Sequence, residues 1–500
     1  MTGTSRLKGI ALLALCLFLV PAIGWLTGMY ITSQYDGQFR EAVVGNKTMT
    51  AEEFDQRGLS YVTFCQNARA SDSTGELDKF CSYADEISYV QLASEGTAAL
   101  GLLLLVLIFG GRMAAGTSRA RLSLLFGPVV RGVMLLLAMS VLAQGALFVY
   151  CAYTLEATAI HRVHFGILFA IGIGALLACA VLLKSAVVFL KTEPLWVRGQ
   201  VLKRDTHPAI FELVEGVARK LGAQPPDHII AGLEPNFFVT AAPVQLVGET
   251  VPLKGRTLFL SMSLMRLFTR GELTGVVGHE LGHFRGDDVT YSMKFAPTYS
   301  RLGKALGDLS GQSSGGAADL GRIPALVALS TCLNEFASVE RTIGRDRELL
   351  ADKAGAEAAS ARALATALVK VSLYAPQWNV MTRSHISELS EGRTYSNLSQ
   401  TYAGHCAGMS SGFDWLEVRA LLGETCQSHP VDTHPQLVQR LQNLATPLDS
   451  ISVEDCAAPD SSAIGLLPDA DGLEEALSNL EARWLVAVGA AKLPAEQAST

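Results

Sequence analysis

The chain has 500 residues, of which 49% are hydrophobic and only 17% are charged. The length allows more than one domain, and the apolar excess is unusual for a soluble chain, so membrane-spanning segments are expected. The net charge is −7 and the sequence has no basic stripe, which argues against nucleic acid as a partner.

Four apolar stretches in the N-terminal third predict transmembrane helices. They cover approximately residues 10–31, 92–111, 129–153 and 165–190. A helix of about 20 residues crosses a hydrocarbon core of about 30 Å, and the second stretch reaches that length with Val90–Ser94. The first stretch follows Arg6 and Lys8 but has no small-x-small cleavage site, so an uncleaved anchor is favoured over a signal peptide.

The distribution of basic residues predicts the orientation in the membrane. Arg6 and Lys8 precede the first span, and arginines without any acid occupy the loop between the second and third spans. Loop 32–91 carries more acidic than basic residues. The positive-inside rule places the N-terminus in the cytoplasm and, after four spans, the rest of the chain as well. We therefore expect a multi-pass protein, of the bacterial inner membrane, with a cytoplasmic catalytic domain.

Cysteine positions agree with this orientation. Cys65 and Cys81 are the two cysteines of the predicted external loop, where a disulfide can form, although both could be free thiols. On the predicted cytoplasmic side, thiols are expected to stay reduced at Cys332, Cys406, Cys426 and Cys456. The sequence has no CxxC motif, so a zinc site built from cysteines is not expected.

An HExxH motif stands at His279-Glu280-Leu281-Gly282-His283. On a helix, residues i and i+4 share a face, so both imidazoles can reach one metal ion, with Glu280 placed to act on a metal-bound water. The alternative is a surface helix with two solvated histidines. Apolar residues at helical spacing argue for a buried helix: Leu273, Val276, Val277, Leu281 and Phe284.

Two glycines flank the motif's histidines. Gly278 and Gly282 each cost a helix about 1 kcal/mol relative to alanine. This cost is understandable if another segment approaches the helix closely at these positions.

A catalytic zinc usually has three protein ligands, and the segment Thr342–Ala359 offers the third. Glu348 is the candidate ligand, and Asp352, one turn later on the same face, would hold a ligand histidine by its other ring nitrogen. The alternative is a charged, solvated helix with ordinary ion pairs among Arg345, Asp346, Arg347 and Glu348.

The two motifs HELGH and RDRELLAD together resemble the family of membrane-bound gluzincins that includes the HtpX heat-shock proteases and the CaaX prenyl proteases. The resemblance covers about Leu195 to Ala445. It implies one zinc ion per chain, with Glu280 as general base. It also implies an ExxxD motif in which Glu348 is the third ligand beside His279 and His283, and Asp352 supports a histidine.

Two further segments resemble the family. Glu234–Thr240 is similar to an Asn-Ala-Phe-Ala-Thr segment beside the cleft, which implies that Asn236 and Phe237 bind substrate, although Phe237 replaces an alanine. Thr433–Leu444 is similar to a His-Pro…Arg-Leu segment. This likeness implies that His434 and Arg440 stabilise negative charge on the tetrahedral intermediate.

Both of these last residues have simpler interpretations. His434 precedes a proline and could start a helix, and Arg440 could pair with a carboxylate. The sequence also departs from the family at Gly344-Arg345 and Leu349, where the family often has Ser-Arg and Tyr. These departures concern substrate preference more than the metal site.

The expected fold is mainly α with a small β-sheet. A four-helix transmembrane region at residues 1–190 precedes an α+β zincin-type catalytic domain at residues 191–445. Residues 446–500 are expected to form a helical extension, with one helix at Leu467–Val488, and a flexible tail. The pattern within the catalytic domain predicts a helix at Pro208–Leu221 and strands at His228–Ala231, Phe237–Thr240 and Arg256–Ser261.

Three further predictions concern elements around the two motifs. Arg256–Ser261 is expected to be the edge strand that pairs with the substrate backbone, the alternative being an ordinary buried strand. Gly307–Gly321 reads as a flexible loop. Ile323–Leu333 is too short to span a bilayer, so we expect a helix that packs on the catalytic domain or dips into the membrane interface.

The predicted function is that of a membrane-anchored zinc endopeptidase in membrane-protein quality control. Its expected partners are protein or peptide substrates, membrane proteins above all, and the lipid bilayer, while the oligomeric state stays open. The alternatives are a CaaX-type processing protease, for which four spans look too few to enclose a lipid-sized chamber, and a non-catalytic membrane scaffold or sensor with a structural zinc. The intact Glu280 argues against the scaffold.

Overall fold

A computed structural model of the chain describes residues 3–69, 77, 80–157, 162–188, 194–284, 302–303, 306, 317–410, 412, 414–424 and 435–492. The chain divides into two compact units. The first comprises Met1–Gly116, Leu124–Lys191 and Thr298–Ala337. The second comprises Thr117–Ser123, Thr192–Pro297 and Ser338–Thr500. The domain boundaries at residues 190 and 445 stay predictions.

Long apolar helices dominate the first unit. They are Gly3–Gly45, Ser82–Ala115 and Arg119–Leu155, and each contains a stretch long and apolar enough to cross a membrane. Three of the four predicted spans lie in these helices. The fourth lies in the helix Phe165–Val188, of which Phe165–Ala180 counts as a shorter apolar helix. The described part of the chain is thus mostly helical, with three helices long and apolar enough to cross a membrane.

The first helix continues well beyond a bilayer. Its 43 residues extend about 65 Å, roughly twice the thickness of a hydrocarbon core. Its last turns pack with the short helices Ala51–Arg57 and Tyr61–Arg69 around a small aromatic core that includes Phe39 and Phe54. The predicted disulfide between Cys65 and Cys81 is confirmed and closes this module.

The helix Ala317–Ala358 contains the apolar segment Ile323–Leu333. The sequence predicts that this segment packs on the catalytic domain or dips into the membrane interface. Its residues up to Ala337 belong to the first unit, where Phe336 packs against Phe126 with ring centroids 5.0 Å apart. In the same unit, buried Glu335 accepts two hydrogen bonds from Arg6. The helix therefore packs against the apolar helices of the first unit just after this segment, at Glu335 and Phe336. Residues 307–316 of the predicted loop lie outside the described residues.

Among the residues described for the second unit, six short strands form two sheets: β1 (Leu195–Val197), β2 (Gln200–Val201), β3 (His228–Gly232), β4 (Phe238–Thr240), β5 (Val244–Leu246) and β6 (Thr257–Ser261). β1 and β5 pair in parallel, and the larger sheet has the order β2-β3-β6-β4. The three predicted strands are confirmed. The prediction that the last of them is the edge strand is wrong, because β6 lies between β3 and β4 with all five residues buried.

The helix Pro208–Leu221 forms with the predicted bounds. Proline is tolerated in the first turn, where its missing N–H has no helical partner, and Gly222 ends the helix in the left-handed region at φ 61°. The apolar face is buried through Ile210, Leu213, Val214, Val217 and Leu221.

The remaining helices and 3-10 turns of the second unit surround one hydrophobic core: Met262–Met265, Arg270–Gly282, Ala361–Tyr374, Gln377–Ser390, Leu398–Ser410, Trp415–Glu424, Leu437–Asn443, Leu448–Ser450, Val453–Cys456, Ala463–Leu466 and Ala470–Ala487. The predicted C-terminal helix joins this core through Leu473 and Leu477. Its buried Glu474 accepts hydrogen bonds from Arg266 and Ser399. Residues 493–500 lie outside the described residues.

Candidate metal centre

The helix Arg270–Gly282, called here the HExxH helix, is fixed at its first turn. Thr269 and Glu272 form a capping box, in which each side chain accepts a hydrogen bond from the other residue's backbone N–H. Buried Lys370 donates to Glu272 Oε2 at 3.0 Å and to the carbonyl oxygen of Leu267 at 2.9 Å. Because both charges of this buried pair are hydrogen-bonded, the start of the helix is held in one position.

The glycines of the HExxH helix face the helix Ala317–Ala358, called here the ExxxD helix. A Cβ on Gly278 would lie 2.4 Å from the Cβ of Ala358, and one on Gly282 would lie 2.9 Å from the Cβ of Ala354. Real Cβ atoms essentially never come that close. The expected close approach is confirmed, and it lets short side chains from two helices meet around a single point.

Three potential metal ligands converge there. His279 Nε2 lies 3.5 Å from Glu348 Oε2, and His283 Nε2 lies 3.4 Å from Glu348 Oε1. All three side chains are buried, and one ligand atom from each lies within 4.8 Å of the others. A tetrahedral ion bound at about 2.0–2.1 Å separates its ligand atoms by about 3.4 Å. The donor set and its spacing therefore fit a single metal ion.

Asp352 and Arg440 lie behind His279. Asp352 Oδ1 is 3.0 Å from His279 Nδ1, and the Arg440 guanidinium donates to both Asp352 oxygens, at 2.6 and 3.0 Å. With Nδ1–H donating to Asp352, the lone pair of Nε2 points toward the Glu348 side. Arg440 thus pairs with the carboxylate of Asp352, in agreement with the simpler interpretation that it forms an ion pair.

The electrostatics of the pair suit this arrangement. Burial opposes ionisation of His279, but hydrogen bonds to Asp352 and Glu348 outweigh it and raise the pKa of His279 to about 9. Burial likewise opposes ionisation of Asp352, yet hydrogen bonds from His279 and Arg440 lower its pKa. The ionised form of Asp352 is therefore favoured, and a metal must compete with a proton for Nε2 of His279.

The other residues predicted for the site have different surroundings. Glu280 is buried on the HExxH helix beside the first ligand. Asn236 is exposed just before β4, whereas Phe237 is buried and stacks on Phe268 at 5.8 Å. His434 lies outside the described residues.

Sequence reasoning did not find Lys370 or the partner of Arg440. Lys370 is a lone charge in the apolar run ALATALVKVSLY, which is a recognisable signal for a buried ion pair. Its partner Glu272 lies 98 positions away, and Arg440 lies 88 positions from Asp352. No local pattern identifies such partners.

The close helix contact makes a testable prediction. Gly278→Ala places a methyl group where Ala358 already stands, so we expect a loss of stability of about 1–3 kcal/mol and a lower metal content. Gly271→Ala on the same helix meets atoms no nearer than 3.9 Å and is the matched control, expected to be neutral or slightly stabilising. Thermal unfolding and elemental analysis measure both effects; equal behaviour of the two variants would contradict the close packing.

Comparison with known proteins shows what the part of the chain around this site is similar to. Residues 246–448 match the model of peptidase family M48. The chain is 29% identical over 186 residues to a protease HtpX homolog of Thermococcus sibiricus, covering 35% of this chain and 61% of that protein. The protease HtpX homolog of Pyrococcus furiosus is 29% identical over 190 residues, covering 35% and 60%. That of Archaeoglobus fulgidus is 29% identical over 165 residues, covering 32% and 46%.

The chain thus spans about 60% or less of the length of these relatives, and no solved structure matches it. The matched segment contains His279, His283, Glu348, Asp352 and Arg440. Residues 246–448 are thus similar to peptidase family M48, and the chain is similar to the protease HtpX homologues over about a third of its length.

Proposed function

We propose that this chain is a membrane-anchored, zinc-dependent endopeptidase that acts in the quality control of membrane proteins. The observation that carries the proposal is the convergence of His279, His283 and Glu348, with Asp352 oriented behind the first histidine. Two imidazoles and one carboxylate leave a fourth tetrahedral position for water, which is the ligand pattern of catalytic rather than structural zinc.

The proposed hydrolysis of a peptide bond needs an activated water and a group that accepts its proton. Zinc, when bound, supplies Lewis acidity that lowers the pKa of a coordinated water toward neutrality. Glu280 is displaced about 100° around the helix from His279, so it is not on the face of the two ligands. In our proposal its carboxylate accepts the proton of the attacking water and later delivers it to the leaving amine.

Other residues around the metal centre would orient the ligand histidine and the substrate. In our proposal Arg440 acts through Asp352, which fixes the ring of His279, rather than on the substrate. We retain His434 as a stabiliser of developing negative charge, since the chain places it shortly before the helix that carries Arg440. Phe237, packed on Phe268, would hold Asn236 at the rim beside the substrate.

The substrate backbone would pair with β4. This strand pairs with β6 on one side and is one of the two edge strands of the larger sheet among the described residues, the other being β2. An edge strand presents unpaired N–H and C=O groups, so an extended peptide can add to it through main-chain hydrogen bonds. Main-chain pairing of this kind selects an extended substrate backbone and depends little on the substrate's side chains, which suits a protease of broad specificity.

We further propose a four-span topology in the plasma membrane with the metal centre at the cytoplasmic face. The arginine-rich loop between the second and third helices is expected on the cytoplasmic side, by the positive-inside rule. The disulfide between Cys65 and Cys81 is expected on the opposite side, because disulfides persist outside the cytoplasm. The free cysteines Cys406 and Cys456 are buried in the second unit. The relatives named above are archaeal, so a bacterial inner membrane stays a prediction.

A chelator experiment tests the proposed activity. Full-length protein in detergent micelles is incubated with unfolded casein and with a membrane protein, with and without o-phenanthroline. We expect cleavage of both substrates, its loss with chelator, and its recovery on addition of zinc.

Other outcomes would contradict the proposal. Cleavage of a prenylated peptide without cleavage of casein would indicate a CaaX-type protease. Bound zinc without cleavage of any substrate would indicate a scaffold or sensor, and cleavage unaffected by chelator would exclude metal-dependent chemistry.

A further inference from the structure

Arg198, which lies between β1 and β2, links separate elements of the second unit. Its guanidinium lies against the ring of Trp484, with Cζ 4.0 Å from the ring centroid. Its Nε forms an ion pair with Glu481 at 2.6 Å, and its Nη2 pairs with Glu234. Glu481 and Trp484 are three residues apart on the helix Ala470–Ala487, called here the C-terminal helix, so they share one face of it. One guanidinium therefore joins the C-terminal helix to the segment that follows β3.

The position of Arg198 is closely fixed. Only 20% of its side chain and 6% of the Glu481 side chain are exposed. Arginine suits this place because its planar group can stack on an aromatic ring while its N–H groups reach carboxylates. The main chain is confined as well, since a Cβ on Gly232, at the end of β3, would lie 2.7 Å from the carbonyl oxygen of Arg198. The C-terminal helix and β3 thus hold Arg198 from two directions.

We propose that Arg198 is a positioning residue for the strand edge at which the substrate binds. The proposal rests on the proposed function, in which β4 pairs with the substrate backbone and Asn236 lies beside it. After Glu234 the chain makes a tight turn, in which the N–H of Asn236 donates to the carbonyl oxygen of Glu234 at 2.8 Å. Phe237 follows and stacks on Phe268 at 5.8 Å. Exposed Asn236 therefore lies between two anchored residues, Glu234 held by Arg198 and Phe237 held by Phe268.

The strand β4 needs support of this kind. It has three residues and, among the described residues, pairs with β6 alone. An edge that is held in its binding conformation before the substrate arrives binds more tightly, because less ordering accompanies binding. Loss of the link from Arg198 should therefore weaken substrate binding and leave the metal centre and the proton transfer unchanged. Loss of binding that is equal in the ground state and the transition state raises KM without changing kcat.

The link uses residues outside the segment that is similar to peptidase family M48. That segment comprises residues 246–448, whereas Arg198 and Glu234 precede it and Glu481 follows it. The C-terminal helix would thus contribute to substrate binding through Arg198, without itself reaching the substrate.

Glu234→Gln tests the link. Glu234 has a side chain that is 44% exposed, and its replacement leaves Arg198 paired with Glu481, so the variant should fold. With full-length protein in detergent and unfolded casein as substrate, we expect KM to rise roughly two- to tenfold, with kcat and zinc content unchanged. Glu215→Gln is the matched control, because it removes a carboxylate from the pair with Arg204 in the same unit. Its KM should equal that of the wild type.

A second variant tests the other side of the link. Glu481→Gln removes the charge that holds Arg198 on the C-terminal helix and should raise KM in the same direction. Because both substitutions act through Arg198, the double variant should raise KM by less than the product of the two single effects. Effects that multiply would show that the two carboxylates act independently and would contradict the link.

The proposal is also overturned if Glu234→Gln keeps the KM of the wild type, or if kcat or zinc content falls while KM stays unchanged. Hydrogen exchange of the backbone amides of residues 236–240 needs no peptidase activity and is measured on the same samples. It should be faster in Glu234→Gln than in the wild type and in Glu215→Gln, and equal exchange would contradict the link. If the wild type cleaves no substrate, the proposed function fails, and the exchange rates alone decide whether Arg198 holds this segment.

Discussion

Glu280→Gln is expected to retain stoichiometric zinc and to lose casein cleavage by at least a factor of about 100. An amide cannot accept the proton of the attacking water, and general-base catalysis contributes typically 10²–10⁴-fold. The substitution keeps the size of the side chain, so the HExxH helix and the three ligands should stay in place. Elemental analysis and the cleavage rate are measured on the same preparation.

The matched control for this variant is Glu475→Gln, which removes the same charge from an exposed position on the C-terminal helix. It should cleave casein like the wild type. If Glu280→Gln also cleaves like the wild type, Glu280 is not the base; if it loses zinc, the loss of cleavage carries no information about proton transfer and the ligand set must be revised.

Glu348→Ala is expected to lower zinc affinity by more than the roughly 10- to 100-fold that loss of an outer-shell partner costs. Glu348 lies 3.4–3.5 Å from the Nε2 atoms of both His279 and His283, so its removal leaves two protein ligands. Two imidazoles alone hold zinc weakly in competition with water and chelators. Zinc retained after dialysis against a weak chelator measures the effect.

Glu357→Ala is the control, because this carboxylate is exposed on the same ExxxD helix and its removal alters helix composition in the same way. It should retain zinc like the wild type. Full zinc content in Glu348→Ala would move the third ligand to another residue and would remove the basis for the proposed site.

Local periodicity accounts for the parts of the site that the sequence predicted. His279 and His283 are one turn apart on one helix, and Glu348 and Asp352 are one turn apart on another. Spacing indicates that each pair shares a helix face, because helical geometry fixes which residues do. The roles of Glu348 and Asp352 in a metal site are what the resemblance implies. The glycines Gly278 and Gly282 signalled a close contact but not the partner helix.

Long-range pairing accounts for what the sequence did not predict. Strand periodicity located β6 correctly, yet its place between β3 and β4 depends on sheet order, which no local pattern encodes. The resemblance implies that Arg440 stabilises negative charge on the tetrahedral intermediate, whereas the fold pairs its guanidinium with Asp352, and both side chains are buried. The length of the apolar segment before Ala337 predicts that it does not span a bilayer, but length does not predict the contact of Phe336 with Phe126, far away in the chain.

The metal content and ligand set of the purified wild-type protein test the central claim most directly. Full-length protein prepared without added metal is analysed for elements and then by zinc X-ray absorption. We predict about one zinc ion per chain with two imidazole nitrogens and oxygen ligands at about 2.0–2.2 Å. Protein without stoichiometric metal, or an ion coordinated by sulfur, would contradict a centre built from His279, His283 and Glu348.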